Sequence, residues 1–198
     1  MSESSPLESL ATVTSFLREC GVGFALVGGL AVSIRGEVRF TRDVDLAIAV
    51  EGDREVERLV LDMSAAGYSP RAIVEQDDIG RIATVRLVGP DGVTVDLLAA
   101  SSGIEPEVVA TAEPVDIGPA GLIPVARAEE LIALKVLSVS ARRAQDEIDL
   151  DGLLRVNEQV DLGRVRALLD LVTTRGFHRG ESLSEKLDAI LERLRRPV

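Results

Sequence analysis

Two aspartates interrupt the start of an otherwise apolar run that ends at Val50. The run is short and aliphatic, which predicts a buried strand from Val44 to Val50. Successive side chains of a strand point to opposite faces, so Asp43 and Asp45 share one face. Two like charges in that position repel each other. The strand therefore needs a compensating cation, and carboxylate oxygens are the ligands that Mg²⁺ or Mn²⁺ prefers.

A third aspartate lies in a similar setting. Asp96 is the only acid in the strand-like run 93–99, and the turn Gly89-Pro90-Asp91-Gly92 ahead of it indicates a hairpin with the run 81–88. If this strand lies beside the strand of Asp45, the three carboxylates can hold two metal ions about 3.5–4 Å apart, as in-line phosphoryl displacement requires.

A glycine pair precedes these acids. Gly28 and Gly29 follow the apolar run Phe24–Val27 and come just before a short helix from Leu30 to about Arg35. Glycines at a strand-to-helix turn let backbone N–H groups approach a phosphate closely. The alternative, a plain tight turn, stays open on the pair alone.

Composition and charge exclude several classes of function. The chain has 198 residues and a net charge of −11, so it repels a polyphosphate at long range, and only 3% of its residues are aromatic. One cysteine and one histidine exclude an internal disulfide and a multi-Cys or two-His zinc site. No apolar run reaches the ~20 residues of a membrane helix and no secretory leader is recognisable, so we expect a cytoplasmic protein without a membrane partner.

Hydrophobic periodicity predicts an α/β (α+β) protein, a mixed β-sheet with flanking helices followed by a helical C-terminal segment. A Pro/Gly-rich stretch, 113–124, holds at most one short strand, 115–117, and suggests a core domain at 1–118 and a helical segment at 119–198. Predicted helices cover 6–20, 30–35, 53–66, 127–140, 145–156, 161–173 and 183–195. Predicted strands cover 24–27, 44–50, 71–75, 81–88 and 93–99.

In this order, Gly28-Gly29, Asp43-Val44-Asp45 and Asp96 resemble the nucleotidyltransferase (polymerase beta-like) superfamily. The Arg-x-Thr-x-Asp-x-Asp stretch that begins at Arg39 is closer still to the AbiEii-type toxin branch. The resemblance covers roughly 22–155. It implies the sheet-and-helix fold described above, with Mg²⁺ (or Mn²⁺) as the cofactor and an NTP as the substrate. Some members of the branch act on the 3′ end of tRNA.

The resemblance also implies residue roles. Asp43, Asp45 and Asp96 would be metal ligands and catalytic residues, and Asp96 would help to activate the acceptor hydroxyl. Gly28 and Gly29 would bind the triphosphate through backbone N–H groups alone, since Gly29 stands where some relatives carry a serine.

Three further residues near the glycine pair are candidate nucleotide contacts. Ser33, one helical turn on, would supply a hydroxyl. Arg39 and Thr41 alternate with the acids and would share their face. For Arg39, neutralising the acids or binding phosphate competes evenly with a structural ion pair.

A later helix carries one of the two lysines of the chain. On one continuous helix Lys135, Arg142, Asp146 and Asp149 would lie along one stripe, and two packed helices could still converge them. By resemblance, Lys135 would be catalytic and contact the nucleotide phosphates, Asp146 would orient it or the helices that bind the base, and Arg142 would assist in nucleotide binding. The alternative is a solvated row of salt bridges.

We therefore expect a Mg²⁺-dependent nucleotidyltransferase that moves a nucleoside monophosphate from an NTP to an acceptor hydroxyl, the 3′ end of tRNA. It would be the toxin of a toxin–antitoxin pair, with an antitoxin protein as its partner. Three alternatives stay open: a small-molecule acceptor of the aminoglycoside type, a protein acceptor, and a catalytically silent binding member of the fold.

Overall fold

The computed structural model describes residues 5–76, 79–140 and 144–195. Arg142, a predicted nucleotide contact, lies outside these ranges. The helices are α1 Pro6–Glu19, α2 Gly28–Arg35, α3 Asp53–Ala65, α4 Glu105–Thr111, α5 Ala128–Ser138, α6 Ala144–Val156, α7 Leu162–Thr174 and α8 Leu183–Arg195. The strands are β1 Gly23–Val27, β2 Val44–Ala49, β3 Ser69–Gln76, β4 Arg81–Val88, β5 Thr94–Leu98, β6 Glu113–Asp116 and β7 Leu122–Val125.

The strands form one seven-stranded mixed sheet in the order β3-β4-β5-β2-β1-β7-β6. β2 and β5 are parallel, as are β1 and β7, and the other neighbours are antiparallel. Helices flank the sheet and α5 to α8 follow it. The predicted fold class is therefore confirmed.

The position of the central strands in the core explains why their sequences are almost entirely apolar. β1, β2 and β5 are covered on both faces, so nearly every side chain in them is buried. One contiguous core runs from Leu10 in α1 through the sheet to Leu187 in α8. α5 is apolar on almost its whole circumference because it packs against both α6 and α7. No helix within the described ranges has the length and apolarity needed to cross a membrane.

The predicted elements are confirmed apart from two places. α4 was not predicted, because it has only seven residues, carries a proline in its first turn and follows a Ser/Gly loop. The 113–124 stretch holds two strands rather than the single one expected, and Pro114 and Pro124 in them oppose each other in an antiparallel pair. β7 joins the sheet beside β1, beyond the proposed division at 118/119. That division stays a prediction.

Candidate active site

The three acids and the glycine pair meet where three strands come together. Val27, the last residue of β1, lies opposite Asp45 in the antiparallel pair, and Asp45 lies beside Asp96 in the parallel pair. The glycine pair begins α2 directly after Val27. The sheet register therefore brings together residues that the sequence separates by as many as 68 positions.

Both glycines are closely packed against neighbouring side chains. Gly28 has a φ of +61°, and an added Cβ would overlap the Asp45 carboxylate. An added Cβ at Gly29 would lie 2.7 Å from both the Arg39 Nη2 and the Thr41 Oγ1 atoms. The Gly29 N–H donates to Asp45 Oδ2 at 3.4 Å. The pair is thus more than a plain tight turn, since its backbone lies against the side chains of the acid-bearing loop.

Charge crowding at Asp45 is the main electrostatic feature of this strand end. Burial, together with repulsion from Asp96 and Asp43, raises the pKa of Asp45 to about 6. The Gly29 N–H and Lys135 offset only part of it. A divalent cation would relieve this repulsion, so the donor set fits a hard metal ion in its chemistry.

Asp96 is held by an arginine. Arg86 on β4 lies directly opposite Asp96 and donates to both of its carboxylate oxygens, from Nε at 2.8 Å and from Nη2 at 2.6 Å. These hydrogen bonds raise the pKa of Arg86. Within 5–76, 79–140 and 144–195, no three acidic, histidine or cysteine side chains are arranged to hold a metal. Asp43 and Asp45 are available as metal ligands, whereas Asp96 becomes available only when the half-exposed Arg86 side chain moves aside.

Lys135 is buried in a network of ion pairs. Its Nζ donates to Asp146 Oδ1 at 2.6 Å and to Asp149 Oδ2 at 2.7 Å. Asp149 is the centre of the network, because Arg39 Nε lies 2.7 Å from its Oδ1 and Gln145 donates to the same oxygen at 2.9 Å. Burial raises the pKa of Asp149, but the hydrogen bonds from Lys135 and Gln145 outweigh it, so the pKa lies below its ordinary value.

These contacts decide between structural alternatives for the later helices. α5 ends at Ser138 and α6 begins at Ala144, so two packed helices, and not one continuous helix, bring Lys135, Asp146 and Asp149 together. Of the row, Lys135 and Asp149 are buried and Asp146 is partly buried. Arg39 forms an ion pair with Asp149, which is one of the two alternatives that the sequence left open for it. Its side chain also lines the cleft described below.

Ser33 and Thr41 fix the loop that leads to the acids. The Ser33 hydroxyl lies within hydrogen-bond distance of the backbone oxygens of Gly29 and Arg39, at 3.0 and 3.1 Å, and accepts from the Arg39 N–H. It is therefore committed to backbone contacts, and a direct nucleotide contact by Ser33 stays a prediction. Thr41 lies against Gly29.

A cleft of about 250 Å³ opens beside this strand end. The glycine pair, Asp45, Lys135 and Asp146 line it together with Ser101, Ser102, Ser138 and Arg179. Sequence reasoning missed Arg179, which lies in the turn between α7 and α8 with a φ of +54°. The turn reaches the cleft because Arg175 binds Gly103 and Glu107 beside α4. Arg39 and Lys135 are both ion-paired, so in the described part of the chain Arg179 is the one cleft cation without a carboxylate partner.

The fold and the site define a class of protein, a nucleotidyltransferase. The family described as "Nucleotidyl transferase AbiEii toxin, Type IV TA system" matches residues 15–197. The chain belongs to this family, as the resemblance predicted. No curated protein matches the sequence.

Solved structures share the fold at low identity. A nucleotidyltransferase-like protein from Paracoccidioides brasiliensis is 20% identical, with 93% of each chain covered and a TM-score of 0.50. The lincosamide antibiotic adenylyltransferase LnuA, bound to lincomycin, is 12% identical, covering 75% of this chain and 96% of its own, with a TM-score of 0.48. The Thermotoga maritima CCA-adding enzyme complexed with tRNA is 13% identical, covering 96% of this chain and 52% of its own, with a TM-score of 0.36.

Proposed function

We propose that this nucleotidyltransferase moves a nucleoside monophosphate from an NTP to the 3′ end of tRNA, with Mg²⁺ or Mn²⁺, and acts in this way as a toxin. One observation carries the proposal: the glycine pair, Asp45 and the buried Lys135 line a single cleft. Membership in a type IV toxin–antitoxin family implies an antitoxin partner. A cytoplasmic location follows from the proposed acceptor.

The cleft is suited to a triphosphate. The glycine pair begins α2, and backbone N–H groups at a helix start favour anions. Lys135 is held at a fixed position by Asp146 and Asp149, so its ammonium can contact phosphate oxygens without first being ordered. Arg179 adds a cation whose charge no carboxylate in the described ranges offsets. Arg142 stays a predicted contribution to the same site.

The acids would hold the metal and the acceptor. Asp43 and Asp45 would be the first ligands, with Asp96 as the third once Arg86 moves aside, and a bound divalent ion would supply Lewis-acid stabilisation of the phosphoryl charge. Arg86 positions the Asp96 carboxylate, which would accept a hydrogen bond from the acceptor hydroxyl. In the transfer, the acceptor oxygen bonds to the α-phosphorus, the bond from that phosphorus to the bridging oxygen breaks, and pyrophosphate leaves. The hydroxyl proton passes through Asp96 to solvent.

The net charge of −11 favours a second candidate, transfer to a polycationic small molecule such as an aminoglycoside. Expression in a sensitive host separates the two candidates. Growth arrest supports the tRNA acceptor, whereas drug resistance supports the small molecule.

The direct test incubates purified protein with Mg²⁺, each α-labelled NTP in turn and total tRNA. Asp45→Asn is the test variant, because it removes the charge at nearly constant shape. Asp62→Asn, on the exposed face of α3, is the matched control. We expect label on tRNA with the native chain and the control only. Transfer by Asp45→Asn at the native rate would refute the mechanism, and no label on tRNA despite NTP binding would refute the acceptor.

A further inference from the structure

The loop before β2 has two faces. From Val38 to Asp43 exposure alternates strictly, as in an extended chain. Arg39, Thr41 and Asp43 are partly buried and belong to the site already described. The alternate residues point outward: Val38 is 88% exposed, Phe40 is 79% exposed, and Arg42 is exposed too.

Two residues of the outward row, Phe40 and Arg42, line a second cleft of about 470 Å³. Phe40, Arg42 and Asp43 line it, and Thr94 at the start of β5 lies across from them. Asp43 therefore lines this cleft, whereas Asp45, two residues on, lines the first. The two neighbouring acids therefore line different clefts. In-line transfer uses both sides of the phosphorus, since the attacking and leaving oxygens stand on opposite sides of it.

The chemistry of the second cleft is unusual for this chain. Of the five aromatic residues, Phe24, Tyr68 and Phe177 are buried and Phe16 packs against the core, so Phe40 alone offers an open ring face. The Arg42 guanidinium lies over one face of this ring, 5.5 Å from its centroid, and Phe40 as a whole stays 79% exposed. Among the described residues Arg42 has no carboxylate within ion-pair distance. The Asp91 carboxylate nearby is engaged by the Ser9 hydroxyl and the Val93 N–H.

We propose that this second cleft is the acceptor site and binds the unpaired 3′-terminal nucleotides of an RNA. A base stacks on Phe40 and the adjoining phosphate pairs with Arg42. The inference rests on the proposed function and deepens it, because it assigns the acceptor to residues outside the nucleotide cleft. An exposed aromatic ring with a guanidinium on one face is complementary to a base and its phosphate.

Direct binding tests the site without requiring turnover. The probe is a fluorescein-labelled single-stranded oligoribonucleotide with a free 3′ hydroxyl, titrated with the full chain and followed by anisotropy. Phe40→Ala is expected to weaken binding about 5- to 150-fold, the range of one lost base stack. Phe40→Leu should lose nearly as much, because it keeps the apolar volume but not the ring face. The exposed Leu61 on α3 provides the control Leu61→Ala, which should bind as the native chain does.

Salt dependence separates the phosphate contact from stacking. Arg42→Ala should flatten the slope of log K against log salt by about 0.7, the value of one phosphate contact on a single strand, and Arg42→Lys should restore it. Phe40→Ala should leave the slope unchanged. The matched control is Arg71→Ala on the exposed edge strand β3, which should match the native chain in both affinity and slope. When the oligonucleotide is annealed to its complement, the effect of Phe40→Ala should disappear, because no base is free to stack.

Each outcome has a distinct meaning. RNA affinity that is unchanged in Phe40→Ala overturns the inference, as does a native chain that binds no RNA but labels a protein or a small molecule. Binding that depends on Phe40 without any transfer supports the acceptor site and refutes the proposed transfer. Transfer to RNA that is indifferent to both substitutions supports the proposed function and refutes this site.

Discussion

Replacing Gly28 by alanine tests whether close contact between the glycine pair and the acids shapes this site. Gly28 has a φ of +61°, a left-handed conformation that costs an L-residue about 1–2 kcal/mol. The added Cβ would also lie 2.5 Å from the Cβ of Asp45. Because that atom is fixed to the backbone of β2, rotating the Asp45 side chain cannot relieve the overlap. The chain at Gly28 or at the start of β2 must shift.

The chain offers a matched control in Gly21. Its φ is +70°, and in the described part of the chain an added Cβ would meet nothing within 4 Å beyond its neighbours in sequence. Gly21→Ala should therefore lower the free energy of unfolding by the backbone strain alone, about 1–2 kcal/mol. Gly28→Ala adds overpacking of about 1–3 kcal/mol. The difference between the two variants measures the contact with Asp45.

The assay is urea denaturation of both variants, together with nucleotidyl transfer. A displacement of about 1 Å at the reacting groups can cost about 100-fold in rate, so Gly28→Ala should lose about that much transfer. Gly21→Ala should keep the native rate, since it lies at the opposite end of β1. Equal destabilisation by the two substitutions, or native transfer by Gly28→Ala, would refute the reasoning.

Three further predictions concern buried or strained charges. Lys135→Met should lower the free energy of unfolding by about 2–3 kcal/mol in urea titration, because it leaves buried carboxylates without their ammonium partner. The control is Lys186→Met, at the only other lysine, whose ion pair is exposed to solvent, and it should cost under about 1 kcal/mol. Arg179→Gly should raise stability by about 1 kcal/mol by relieving a positive φ, yet weaken NTP binding by calorimetry roughly 10-fold. Burial raises the pKa of Glu105, so the folded chain binds that proton more tightly than the unfolded chain, and stability is lost as pH rises from about 4.5 through the raised value. Glu105→Gln should therefore gain stability relative to the native chain as pH rises from about 4 to about 8, and a constant difference would contradict the assignment.

Much of the fold could be predicted because its helices and strands carry strong periodicity. The amphipathic helices α1, α3 and α7 and the apolar central strands were predicted to within a few residues. β7 was missed because Pro124 and the glycines before it are typical of loops. Its place in the sheet comes from tertiary pairing with β1, which no local pattern encodes.

Part of the site can likewise be predicted from the sequence and part cannot. The ion pair between Arg86 and Asp96 is predictable, because a hairpin turn at 89–92 sets the register that pairs the two residues. The place of Arg179 in the cleft cannot be predicted in this way, since it depends on how the turn after α7 packs beside α4. The sequence places Asp149 on the same helix stripe as Lys135 but assigns it no role. Only the packing of α6 against α5 and Arg39 makes Asp149 the centre of the ion-pair network.

The balance of charge explains why the cleft should prefer a metal–triphosphate substrate. Ion pairs already neutralise Arg86 with Asp96, and the two cations Lys135 and Arg39 with the two carboxylates of Asp146 and Asp149. Among the described residues, Asp43 and Asp45 are left without an ion-paired cation, and Arg179 without an ion-paired anion. These residual charges have opposite signs and lie on different walls of the site, with the acids at the strand end and the arginine on the C-terminal turn. In a metal–triphosphate complex, the cation is complementary to the acids and the polyphosphate is complementary to the arginine. A free nucleotide or a free metal ion complements only one of these two groups.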